Sequence, residues 1–357
     1  MNKHILVVNP GSTSTKVAVF QNRKQLFMMN IQHPQEELAK FNRIADQFDF
    51  RKQAIIDELV KSGIDILKMN IVVGRGGLLK PIAGGVYKVN EAMAKDIQNP
   101  MGEHESNLGG PIANELAKFI GKGVYAIIVD PTCVDELEEI ARISGMPELP
   151  RKSFLHALNQ RAVARTYARG INRQYEEINV IVAHMGGGVS VGAHYKGRII
   201  DVNNGLNGDG PMSPERSGGV PAGQLVELCF SGKFTKEEIL KKLKGKGGFT
   251  AYLGTSNAVA IEKRIEEGDM YAKLIYHAMA YQVAKEIASL SAVLKGEVDG
   301  IILTGGLAYG QTIIDIITEM VKHLGPVHIY PGENEIEALA MNGFMVLNGE
   351  IEPKEYI

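Results

Sequence analysis

Asn9, Ser12, Thr13, Ser14, Thr15 and Lys16 gather an amide, several hydroxyls and an ammonium into one short turn near the start of the chain. With backbone N–H groups added, such a turn offers many donors and one point charge in a small volume, which suits a phosphate. A polar hairpin loop is the plainer reading of the same residues. Two arginines stand among glycines: Arg75 in Gly74-Arg75-Gly76-Gly77, and Arg216 before Ser217-Gly218-Gly219. Small neighbours let the backbone pass close and leave a guanidinium open to carboxylate or phosphoryl oxygens. Taken singly, each is also what a surface loop arginine looks like. Further glycine turns follow apolar runs at Gly186-Gly187-Gly188 and Gly305-Gly306, and they admit a ligand by close backbone approach or serve as tight turns.

These residues need elements to position them. Ile5–Val8 and Val17–Phe20 are short and rich in β-branched residues, so they read as strands around the Pro10-Gly11 turn. A third run, Gln25–Ile31, completes a meander. Residues 51–62 put Ile55, Ile56, Leu59 and Val60 on one helical face. A strand at Ile71–Val73, helices at 90–98 and 110–120, and a strand at Val124–Val129 ending at Asp130-Pro131 follow. The second half repeats the plan. After a helix at His156–Arg169, strand Ile178–Ala183 leads into a glycine turn, and two more runs make another meander. Helix Met270–Leu294, strand Gly300–Thr304, helix Gln311–His323, strand Val327–Tyr330 and helix Asn334–Leu347 finish it. The layout is α/β, with an expected first domain of 1–148 plus 337–357 and a second of 149–336. Two halves built alike are expected to face each other across a nucleotide cleft.

Composition narrows the class. The chain has 357 residues, 45% hydrophobic and 22% charged, with formal net charge −2. That balance gives no electrostatic footprint for nucleic acid, and no apolar run approaches the roughly 20 residues of a membrane span. Without a secretory pattern, and with Cys133 and Cys229 at no metal-binding spacing, the expected location is a reducing cytoplasm. No G-x-x-x-x-G-K-[ST] or strand-linked G-x-G-x-x-G stretch points to a P-loop or dinucleotide fold.

The opening LVVNPGSTSTK closely resembles the signature of the acetate and butyrate kinases, within the superfamily of sugar kinases, Hsp70 and actin. HMGGGVS at 184–190 resembles that family's second phosphate loop, PERSGG at 214–219 its arginine motif, and LTGGLA at 303–308 its adenosine loop. PGENEIEALA at 331–340 resembles its C-terminal glutamate segment. The wordings NPGSTST and GDGPMSPERSGG are similar to the butyrate branch. The resemblance implies a duplicated actin-like, RNase H-like fold and reversible transfer of the γ-phosphoryl of ATP to a short-chain fatty acid. The products would be an acyl phosphate and ADP, with Mg²⁺ required. It also implies a homo-oligomer, a dimer or larger.

By the same resemblance, Asn9, Ser12, Ser14 and Lys16 line the phosphoryl and metal region. Asp130 binds Mg²⁺ through water or orients the nucleophile; a turn-forming Asp before Pro131 is the alternative. Asn9, Asp130 and Glu335 form the implied metal set, with Glu333 and Glu337 as rivals for the last place. His156 and His184 match family histidines near the phosphoryl group, and His104 matches a third. Arg75 and Arg216 grip the anions; Arg75 stands where the acetate branch has a histidine. A carboxylate is ionised at neutral pH, so its transfer needs cations and donors rather than a base. Gly74 replaces a valine of the acetate branch, which predicts room for a longer acid, butyrate or isobutyrate. A hydroxyl kinase with Asp130 as base, or a nucleotide switch, remain the other readings.

Overall fold

The structure is a computed structural model that describes residues 2–98, 100 and 102–357. The chain forms two compact units. One runs from the start to Val134 and takes back Asn334–Ile357; the other is Asp135–Glu333. Their borders differ from the 148/149 and 336/337 expected from the sequence.

The first unit holds a six-stranded sheet of β1 (His4–Pro10), β2 (Ser14–Gln21), β3 (Lys24–Gln32), β4 (Ile71–Arg75), β5 (Val86–Lys88) and β6 (Ala126–Val129), in the order β3-β2-β1-β4-β6-β5. β1, β2 and β3 pair antiparallel, whereas β1, β4 and β6 run parallel. Ile5–Val8 of β1 form an unbroken apolar run because both faces are covered. Leu6 and Val8 pack with Ile55, Leu59, Ile112 and Leu116 from helices Phe48–Lys61 and Gly109–Ile120. On the other face, Gly343 of helix Glu335–Leu347 sits against Ile5 and Val73. The expected helical stripe holds at three of its four positions: Ile55 and Leu59 are buried and Ile56 packs against that cluster, whereas Val60 is 71% exposed; Arg51 is buried as well.

The second unit repeats this topology with β7 (Asn179–Met185), β8 (Val189–Tyr195), β9 (Arg198–Val202), β10 (Gly300–Gly305) and β11 (Val327–Pro331). Their order is β11-β10-β7-β8-β9. The meander is again antiparallel and β7, β10 and β11 are parallel. In both units the second strand loses register against the third, at Val19/Phe20 and at Ala193/His194. Val180, Val182 and Ile302 pack under helix Ala157–Gly170. Ile181, Ala183, Ile301 and Leu303 pack with helices Met270–Val293 and Gln311–Val321. This is the duplicated α/β plan the sequence predicts. No helix among the described residues is long and apolar enough to cross a membrane.

Candidate active site

Each sheet carries its polar residues at the carboxyl ends of its parallel strands, where α/β folds place ligands. In the first unit, Asn9 ends β1, Arg75 ends β4 and Asp130 follows β6. The register Val8↔Gly74 and Arg75↔Val129 makes these strand ends neighbours. Glu335, the first residue of its helix, joins them. Its Oε2 accepts from Asn9 Nδ2 at 2.9 Å and pairs with Arg75 Nη1. Both members of the ion pair are buried, and Arg75 Nε has no hydrogen-bond partner among the described residues. A buried donor in that state calls for a partner from outside the chain, a water or an anion. Among the three rival glutamates, the fold thus separates Glu335, held by Asn9 and Arg75, from the exposed Glu333 and Glu337.

Asp130 is buried and has φ +38°, a conformation uncommon outside glycine. Its Oδ1 accepts from Gly85 N at 2.7 Å and its N–H donates to Gly85 O at 2.9 Å. One carboxylate oxygen therefore closes a turn, as the plainer reading of an Asp before Pro131 supposes. Strain in a buried acid at a strand end is also what functional sites hold. His104 caps a short helix, its Nδ1 accepting from Ser106 N at 3.1 Å.

The Ser/Thr turn is held from beneath by Arg51. This side chain is fully buried. Its Nη1 donates to Gly11 O at 2.7 Å and Ser14 O at 3.0 Å, and its Nη2 to Ser12 O at 2.9 Å. Its Nε donates to Gln47 Oε1 at 2.9 Å. Loop carbonyls are thereby turned inward onto a cation, while Ser12, Thr13 and Lys16 are exposed. That is the polarity an anion-binding turn requires. Burial lowers the Arg51 pKa from its ordinary value, with Glu105 acting the other way, and a guanidinium stays charged. His33 Nε2 lies 2.8 Å from Thr15 Oγ1, and burial followed by the Arg51 charge pushes its pKa down to about 4.

In the second unit, the glycine turn between β7 and β8 is closed by Gly186 N donating to Gly188 O at 2.9 Å. Arg216 lies against it. A Cβ on Gly188 would stand 1.9 Å from Arg216 Nη1 and 2.4 Å from Cζ. Arg216 Nη1 also donates to Gly205 O, and its backbone N–H to Ser213 Oγ at 3.1 Å. Ser213 Oγ in turn donates to Gly187 O at 2.7 Å, tying the arginine motif to the turn. Burial lowers the Arg216 pKa from its ordinary value, with Glu215 opposing.

His184, near the end of β7, is fully buried and stacks on His156 at 3.8 Å with 11° between the planes. Asn159 Nδ2 lies 2.8 Å from His184 Nδ1 and donates to Thr304 Oγ1 at 3.1 Å, while Asn159 Oδ1 has no partner among the described residues. That arrangement puts the His184 proton on Nε2. Nε2 sits 3.1 Å from Glu333 Oε1, at an angle that makes no hydrogen bond. A Cβ on Gly186 would meet both atoms at 3.3 Å. Thr304 precedes Gly305, which has φ +91°, and Gly306, beside which a Cβ would find nothing within 4 Å.

The residues that hold these candidates were not singled out from the sequence: Arg51 beneath the Ser/Thr turn, Asn159 against His184, and Ser190, whose Oγ lies 2.9 Å from His156 Nδ1 and accepts from Gln160 Nε2. Arg51 had a signal, since it stands four and eight residues before Ile55 and Leu59 on the apolar stripe. The reading of Gly74 is corrected. A Cβ there would lie 2.3 Å from Gly109 O and 2.6 Å from Gly109 C. Backbone of the neighbouring helix fills the space that was expected to admit a longer acid.

No group of three or more His, Cys, Asp or Glu among the described residues is arranged to hold a metal. Mg²⁺ needs less, one or two carboxylates with substrate phosphates, and the oxygen donors Asn9, Asp130 and Glu335 fit it.

Comparison with known proteins adds independent findings. Residues 149–346 match the model of the Acetokinase family. Butyrate kinase 2 of Clostridium acetobutylicum is 56% identical over 357 residues, covering all of both chains. The acetate kinase of Porphyromonas gingivalis superposes with a TM-score of 0.78 at 18% identity, over 97% of this chain and 100% of that one. A propionate kinase of Francisella tularensis gives 0.77 at 18% identity, over 95% and 98%. The two structures bear on the fold alone.

Proposed function

Because the chain belongs to the acetokinase family and is a carboxyl-acceptor kinase, we propose that its acceptor is a short-chain fatty acid, butyrate or isobutyrate. The γ-phosphoryl of ATP passes reversibly and in line to the carboxylate, giving an acyl phosphate and ADP. Family membership sets aside a hydroxyl acceptor.

The obstacle is charge, since an anion must approach a polyanion. Two unit charges 4 Å apart repel by about 4 kcal/mol at an effective dielectric constant near 20. The observation that carries the reading is the Arg216 guanidinium lying against Gly188 in the glycine turn. There it neutralises the transferred phosphoryl oxygens, with the His156 and His184 rings as further donors. Asn9, Ser12, Ser14 and Lys16 bind phosphate, and Arg75 holds the acid's carboxylate, using the Nε that lacks a partner among the described residues. Gly186, Gly187 and Gly188 admit phosphate, and Gly305 and Gly306 the adenosine. Asn9, Asp130 and Glu335 hold Mg²⁺, which when bound neutralises charge across the phosphates. An oligomer and a cytoplasmic location complete the proposal.

Trapping with hydroxylamine tests it, because an acyl phosphate yields a hydroxamate and a phosphorylated alcohol does not. Butyrate and isobutyrate should both outpace acetate. Acetate turned over faster than both would refute the proposed acceptor.

A further inference from the structure

Phosphoryl oxygens accept hydrogen bonds, so a histidine facing them must carry its proton on the nitrogen turned toward them. For His156 that choice is made by residues behind the ring. Gln160 Nε2 lies 3.0 Å from the backbone oxygen of Ser190. A carbonyl only accepts, so the amide nitrogen, and not its oxygen, must face Ser190. The same Nε2 donates to Ser190 Oγ at 2.8 Å, and His156 N–H donates to it at 3.3 Å. Ser190 then has its own O–H to give, and His156 Nδ1 is 2.9 Å away. Nδ1 accepts, which leaves the ring proton on Nε2.

The chain is also fixed from its far end. Gln160 Oε1 must accept from His194 Nε2 at 3.0 Å, so His194 Nδ1 takes the Tyr175 O–H at 2.8 Å. Tyr175, His194, Gln160 and Ser190 are buried. Burial, then the Arg161 charge, pushes the His194 pKa down to about 3, so His194 stays neutral across the working range. From Tyr175 through His194 and Gln160 to Ser190, each side chain donates to the next member on the way to His156.

We propose that Gln160 and Ser190 are positioning residues that hold His156 as an Nε2–H donor for the transferred phosphoryl group. This deepens the reading given above and rests on His156 contacting that group.

The test uses the full chain labelled with ¹⁵N-histidine and long-range ¹H–¹⁵N correlation of the ring nitrogens, with His156 assigned by its loss in His156→Gln. The expected wild-type pattern is a bare Nδ1 and a protonated Nε2. Gln160→Glu puts an acceptor where Ser190 needs a donor; the serine O–H turns away and the His156 proton moves to Nδ1. The kcat for hydroxamate formation should fall about 10- to 100-fold while KM for ATP stays within about threefold. Ser190→Ala should give mixed tautomers and a fall of about tenfold, and Ser190→Thr should restore both tautomer and rate. Should Gln160→Glu not fold, the Ser190 pair carries the test. A wild-type ring protonated on Nδ1, or wild-type kcat in the Gln160 and Ser190→Ala variants, would overturn the inference. Wild-type turnover in His156→Gln, with the expected Nε2–H tautomer seen in the wild-type protein, would instead overturn the role given to His156.

Discussion

Gly188→Ala separates the position of a guanidinium from its presence. The added Cβ would lie 1.9 Å from Arg216 Nη1, inside the 3.0 Å that real Cβ contacts essentially never breach. Arg216 must therefore retreat by at least about 1.1 Å, and by about 1.5 Å to reach ordinary contact. The clashing atoms are the far end of a flexible side chain, so the fold can yield there at small cost. Losing the bond to Gly205 O is softened by solvent at a half-buried group. The reaction is less tolerant, because a displacement of about 1 Å can cost about 100-fold. The expected result is kcat lower by about 10- to 100-fold, or roughly 1.4–2.7 kcal/mol of barrier, with a melting temperature close to wild type. The assay is hydroxamate formation from butyrate and ATP, run as a double-mutant cycle with Arg216→Ala. If the methyl acts through the guanidinium, Gly188→Ala should change nothing further once Arg216 is gone. Unchanged turnover in the single variant, or independent losses in the cycle, would refute the reasoning.

Arg51→Ala should raise KM for ATP and lower kcat by about tenfold or more, because the Gly11, Ser12 and Ser14 carbonyls lose their shared donor. Arg51→Lys should rescue little, since an ammonium cannot span that fork; steady-state kinetics on both variants decides it. Gly74→Ala should lower stability by about 1–3 kcal/mol in a urea melt while leaving the order of preference among acids unchanged, as its methyl meets Gly109 backbone. A changed order would restore the specificity role. His33 has a folded pKa of about 4 against an ordinary 6.5, so below 6.5 the unfolded chain binds the proton more readily. Its contribution is full above pH 6.5 and lost as pH falls toward 4. The melting temperature should drop over that window, and less steeply in His33→Gln.

Much of this was legible from local pattern. Alternating and continuous apolar runs marked the strands of both meanders, and glycine turns marked where β7 and β10 end. What escaped reading depends on partners distant in sequence. Gly74 looked like missing bulk because nothing local says that Gly109 will press on it. Glu333, Glu335 and Glu337 are chemically alike, and burial against Asn9 and Arg75 is what separates them. Arg51 was visible as a charge on an apolar stripe, but its partners are carbonyls, which every residue owns. β5 is three residues long and left no periodic trace. The helices Ala222–Phe230, Lys236–Leu243, Gly248–Leu253 and Ala258–Glu266 also lay outside the reading, the first burying none of its side chains.

The helix that covers Ile5 and Val73 is made by the ribosome only after the whole of Asp135–Glu333 has been synthesised. Until then the opening sheet has one bare apolar face, whereas the second unit is continuous and owes nothing to later residues for its own core. Production of this chain should therefore run against the order of its sequence, the middle becoming protease-resistant first. Protease challenge of stalled nascent chains ending near residue 333 would show this, and a resistant opening segment at that length would contradict it.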